Sequence, residues 1–174
     1  MRARNVLLYG LLLSLCSGVT PLHAQSWLST GWGEGSSGIQ RLRVAASYDL
    51  QPVWWPAWLP SATISLQPGL SYWHYQGGST WSVSLLPEIG WQRALNSDWQ
   101  LAMGAGIGIA AFSDSTVKSR HLGSAFQFED RLGIGLLRAP FALWLRAYHY
   151  SNGNLTEHNA GINLISLEVG WQLP

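Results

Sequence analysis

Beyond residue 25, apolar and polar residues alternate with a period of two through most of the chain. On a strand, such alternation puts one set of side chains on each face. In "LRVAASYDL", Leu42, Val44, Ala46, Tyr48 and Leu50 share one face, while Arg41, Arg43, Ser47 and Asp49 take the other. "ISLQPGLSYW" sets Ile64, Leu66, Pro68, Leu70 and Tyr72 against Ser65, Gln67, Gly69 and Ser71. "WSVSLLPEIGW" sets Trp81, Val83, Leu85, Pro87, Ile89 and Trp91 against Ser82, Ser84, Glu88 and Gly90. "WQLAMGAGIGIAAF" opposes Trp99, Leu101, Met103, Ile107 and Ile109 to Gln100 and a line of small residues. "FQFEDRLGIGL" has Phe126, Phe128, Leu132, Ile134 and Leu136 facing Gln127, Glu129, Arg131 and Gly133, with Asp130 an exception on the apolar side. "FALWLRAYHYS" and "INLISLEVGWQL" continue the series, and "WLSTGWGEG" is a weaker first member. The pattern predicts about eight strands of roughly ten residues, the smallest size of outer-membrane barrel.

The start of the chain sets the compartment. "MRARNVLLYGLLLSLCSGVTPLHA" has a basic beginning (Arg2, Arg4), an apolar run over residues 6–15 and the small-residue ending Leu22-His23-Ala24. This is the layout of a cleaved secretory signal, and its apolar run is too short to span a bilayer as a helix. Residues 1–24 are therefore read as a signal peptide and residues 25–174 as one barrel domain. Cys16, the only cysteine, leaves with the signal. Leu15 stands where a lipid-attachment site wants a small residue, so Cys16 is not read as an acylation site.

Composition narrows the class. The chain has 11 Trp, 19 Gly and only 11% charged residues, against about 25% in an ordinary soluble domain. Its 10 Lys+Arg and 9 Asp+Glu offer no basic field for nucleic acid. No later stretch reaches the length of apolar residues that a spanning helix needs. The closed β-barrel is the other structure that a bilayer permits. A soluble sandwich or lipocalin-like barrel would also alternate, but with its apolar face inward. The opposite set here contains Arg43, Glu88, Glu129, Arg131, Arg146 and Glu168, which suits a lumen of paired charges. The fold expected is all-β, an eight-stranded antiparallel transmembrane β-barrel. Its Trp and Tyr near strand ends are read as aromatic girdles, and "QPVWWPAWLPS" as an interfacial loop.

Candidate chemistry sits in "LRAYHYSNGNLTEHNAGIN". With both termini periplasmic, the seventh strand ends at the cell surface near Ser151. Phe141, Leu143, Leu145 and Ala147 form its lipid-facing stripe, and His149 and Ser151 continue that parity. An ordinary antiparallel return puts Asn163 opposite His149. A His-x-Ser pair at a strand end also arises by chance, but a histidine on a lipid-facing stripe is a functional candidate.

These residues carry a resemblance to the PagL family of outer-membrane lipid A 3-O-deacylases. It is strongest over "GAGIGIAAFS", "LGSAFQFEDRLGIGL", "RAYHYSN" and "NAGI", and it extends more loosely through "SYWHYQGG". The resemblance implies an eight-stranded barrel and a serine esterase, with Ser151 as nucleophile and His149 as general base. It implies an oxyanion region at Asn152, with Asn159 matching a further asparagine. The family's acidic orienting residue falls at Asn163 here, a departure; Glu157 in the loop is the alternative orienting group. No cofactor or metal is implied. The partners implied are lipopolysaccharide (lipid A) of the outer leaflet and surrounding membrane lipids, with no nucleic acid, the barrel being a monomer or weak homodimer in the outer membrane of a Gram-negative bacterium. A non-catalytic barrel for adhesion or membrane integrity, and a phospholipase or palmitoyl transferase, are the competing functions.

Overall fold

The computed structural model describes residues 26–50 and 62–174. The signal reading over residues 1–24 lies outside them, as does the interfacial-loop reading over residues 51–61. Among the described residues ten strands form: β1 Ser26–Gly35, β2 Ile39–Leu50, β3 Ala62–Tyr75, β4 Gly78–Ala94, β5 Gln100–Phe112, β6 Thr116–Val117, β7 Arg120–His121, β8 Phe126–Arg138, β9 Phe141–Ser151 and β10 Ile162–Gln172. Eight close into an antiparallel barrel in the order β1-β10-β9-β8-β5-β4-β3-β2. The short β6–β7 hairpin rises from the β5–β8 connection as a sheet of its own. Closure pairs each strand on both sides, so no edge is left open to lipid.

The two faces fall as the alternation predicts. Leu42, Val44, Val83, Ile107, Leu132 and Leu167 are exposed on the outside. Arg41, Arg43, Glu88, Glu129, Arg131, Arg146 and Glu168 are buried inside. This polarity is the inverse of a soluble barrel. Glu88 takes Arg131 and Arg146, each at 2.6 Å, and Glu168 takes Arg41 and Arg146, each at 3.3 Å. Arg43 faces Glu129 at 3.6 Å. Mutual pairing makes charge tolerable in a buried lumen. The small residues of β5 and β3 give these groups room. A Cβ at Gly104 would stand 2.7 Å from the Glu88 carboxyl carbon, and one at Gly69 would stand 2.5 Å from the Arg43 guanidinium carbon.

The aromatic residues divide, which corrects the reading of them all as membrane girdles. Trp32, Trp81, Trp91 and Trp171 do face outward. Trp73, Tyr75, Tyr148 and Tyr150 instead point inward and, with Phe112, form the apolar core at one end of the lumen. Trp73 meets Tyr150 edge-on at 5.2 Å between ring centroids, and the Arg41 guanidinium lies 3.8 Å from the Tyr148 ring centroid. These rings close the barrel above the charged layer while their polar tips bond into it. Trp73 Nε1 donates to Ser82, Arg41 donates to the Tyr150 hydroxyl and Tyr148 donates to Glu168.

Candidate active site at the outer end of β9 and β10

At the end opposite the termini, β9 and β10 are joined by residues 152–161. The register pairs His149 with Asn163 across β9–β10, and Asp130 with His149 across β8–β9. All three share the parity of the exposed apolar stripe. The expected opposition of His149 and Asn163 is thus present, and it is closed by a hydrogen bond. His149 Nδ1 and Asn163 Oδ1 are 2.6 Å apart. Because an amide oxygen only accepts, Nδ1 is the donor of this bond, and in the neutral imidazole that leaves the lone pair on Nε2.

Ser151 continues the same face, one pleat beyond His149 and half-exposed. No hydrogen bond joins the two among the described residues. Their Cα atoms are separated by about 6.7 Å of strand rise. Unliganded sites often hold such pairs apart and tighten them around substrate.

The asparagines of the loop lie differently. Asn152 is fully buried. Its Nδ2 donates to the carbonyls of Leu122 and His158 at 2.8 and 2.7 Å and lies 2.6 Å from Thr156 Oγ1. That amide ties the β9–β10 loop to the β5–β8 loop. Asn159 is half-exposed, accepts the Asn152 N–H at 3.1 Å and donates to Asn154 Oδ1 at 2.9 Å. It therefore stands beside the peptide that follows Ser151. Arg120 of β7 adds a second clamp, donating to the carbonyls of Ala160 and Gly161 at 3.0 and 3.1 Å. Gly123, with φ of +79°, permits the close approach; a Cβ there would stand 2.7 Å from Asn152 Nδ2. Glu157 is exposed in the loop and has no hydrogen bond or ion pair with His149 among the described residues.

Below this polar row the barrel wall is grooved. An open groove of about 740 Å³ runs from Glu34 on β1, past Asn163, His149 and Asp130, to Ile107 on β5. Its wall is apolar, with Leu132, Ala147 and Ile165 beneath the histidine. Asp130 and Glu34 were not among the candidate site residues read from the chain. The signal for Asp130 in the chain is a carboxylate on an apolar parity, and the β8–β9 pairing sets it opposite His149.

Comparison with known proteins adds a family to this geometry. Residues 40–172 match the family described as Lipid A 3-O-deacylase (PagL). This chain belongs to the PagL family. It is similar to the lipid A deacylase PagL of Pseudomonas aeruginosa, with 37% identity over 76% of this chain and 78% of that one. It is also similar to the lipid A deacylase PagL of Bordetella bronchiseptica, with 29% identity over 97% of each. A crystal structure of the outer membrane enzyme PagL superposes with a TM-score of 0.74 and 31% identity, covering 84% of this chain and 99% of that one. Neisserial surface protein A, at 10% identity and a TM-score of 0.54 over 86% of this chain and 96% of that one, shares the fold alone. As a PagL-family member the chain is an ester hydrolase of the Gram-negative outer membrane, acting in lipid A 3-O-deacylation.

Proposed function

We propose that this chain removes the 3-O-linked acyl chain of lipid A by a serine-esterase mechanism in which Ser151 is the nucleophile and His149 the general base. The observation that carries the reading is the His149–Asn163 hydrogen bond, made on the apolar outer wall beside Ser151. Nε2 accepts the Ser151 proton as Oγ attacks the ester carbonyl, and the imidazolium then gives that proton to the departing sugar oxygen. Water, deprotonated by the same nitrogen, cleaves the acyl-serine and releases the fatty acid. Asn163 fixes the tautomer through that bond, and Glu157, exposed in the loop, is the alternative orienting group.

The oxyanion falls to the region of Asn152 and Asn159. Asn152 contributes by holding the loop, its backbone N–H being taken by Asn159 Oδ1; Asn159, whose amide keeps a second N–H beyond the one given to Asn154, is the donor this reading assigns. The carboxylate of Asp130 flanks His149 from the other side. Removal of residues 1–24 on export fits the basic start and small-residue ending of that segment. A closed barrel with its site within one chain supports a monomer or weak homodimer in contact with outer-leaflet lipopolysaccharide and membrane lipids.

A long-chain alkyl phosphonate tests the mechanism. It is expected to label Ser151 in detergent-solubilised wild type and to label His149→Ala far more slowly. Labelling elsewhere, or none in an active preparation, contradicts the assignment.

A further inference from the structure

The outer wall beside the site carries a second notch that the hydrolysis of one chain does not use. Along the row just beneath His149, paired residues alternate in size around the barrel: Ile165 on β10, Ala147 on β9, Leu132 on β8, Ala105 on β5 and Ile89 on β4. The three large residues project, Leu132 the most at 60% exposure. The two alanines leave notches on either side of the Leu132 ridge. The next row down is large throughout, Leu167, Leu145, Ile134, Met103 and Trp91, so each notch is a closed seat one pleat deep. Both notches open into the same groove, which reaches from His149 to Ala105 and Ile107.

We propose that the Ala105 notch seats a second acyl chain of the same lipid whose scissile chain lies against Ala147. This rests on the deacylase reading above. The notches lie two strands apart, about 10 Å, within the footprint of one headgroup bearing several chains. Ala147 lies directly below His149, so a chain whose ester sits at His149 and Ser151 enters that notch first. Once it is seated, a second chain on the same headgroup docks as an intramolecular event and gains from its high effective concentration. A separate lipid would have no such advantage. The second notch thereby makes the site selective for multiply acylated substrate.

The test compares two substrates on folded, heat-modifiable protein in detergent: multiply acylated lipid A and p-nitrophenyl laurate, a single-chain ester. Ala105→Leu fills the second notch and is expected to raise KM for lipid A about tenfold, with kcat/KM for p-nitrophenyl laurate within about twofold of wild type. Ala105→Val gives a smaller change in the same direction. Ala147→Leu lowers kcat/KM on both substrates. An unchanged KM for lipid A in Ala105→Leu, or equal losses on both substrates, overturns the second seat. Wild type that cleaves p-nitrophenyl laurate but never lipid A overturns instead the deacylase reading beneath it.

Discussion

His149 and Asn163 face each other across β9 and β10, with Nδ1 and Oδ1 2.6 Å apart. This bond selects the tautomer that leaves Nε2 as the base, although an amide stabilises an imidazolium less than a carboxylate does. Asn163→Ala is expected to lower turnover on lipid A by about a hundredfold or more. Asn163→Asp retains or raises activity, and Glu157→Gln is nearly silent. Initial rates of fatty-acid release measure all three. A crippled Glu157→Gln beside an unaffected Asn163→Ala would transfer the orienting role to the loop.

Asp130 occupies an outward position of β8, where the outward neighbours Phe126, Phe128, Leu132, Ile134 and Leu136 are apolar. A carboxylate there is kept at some cost to the membrane-embedded state. Asp130→Leu is expected to leave the barrel as stable as wild type, or up to about 1 kcal/mol more stable, while turnover falls about tenfold or more. Urea unfolding in micelles and lipid A hydrolysis read the two effects separately. A loss of stability with full activity would give Asp130 a purely structural role.

The docking of the two outer loops depends on Gly123. Gly123→Ala adds a Cβ at a left-handed position, against Asn152 and the loop backbone. The barrel should remain heat-modifiable, activity should fall sharply, and residues 113–125 and 152–161 should become sensitive to limited proteolysis. Resistant loops with low activity would separate loop docking from the defect.

Glu88 joins Arg131 and Arg146 in the lumen. Glu88→Ala leaves both cations buried without their shared partner, an expected loss of about 3–5 kcal/mol. Denaturant unfolding in micelles checks this, and an unaltered midpoint would show that the lumen reorganises around the missing carboxylate.

Much of this architecture is legible in the chain because strand parity is local. Arg41 and Arg43 alternate with Leu42 and Val44, which separates the two faces, and the low charge content with the export signal says which of them is the lumen. The opposition of His149 and Asn163 follows from one antiparallel return. Residues whose surroundings come from distant segments are not legible in this way. Trp73 and Tyr150 have residue types equally suited to a membrane girdle, and only their meeting across the lumen shows them as its core. The burial of Asn152 is set by Leu122, thirty residues away on another loop. The β6–β7 hairpin has two-residue strands, too short for a period to register.

Ser151 as nucleophile and His149 as base are together assigned the hydrolysis of the 3-O-acyl ester of lipid A. Mass spectrometry of lipid A incubated with the detergent-solubilised barrel tests it most directly. The predicted result is loss of one 3-O-linked acyl chain with wild type, and intact lipid A with folded Ser151→Ala or His149→Ala. Deacylated lipid A produced by either variant, or intact lipid A after incubation with folded wild type, would contradict the account.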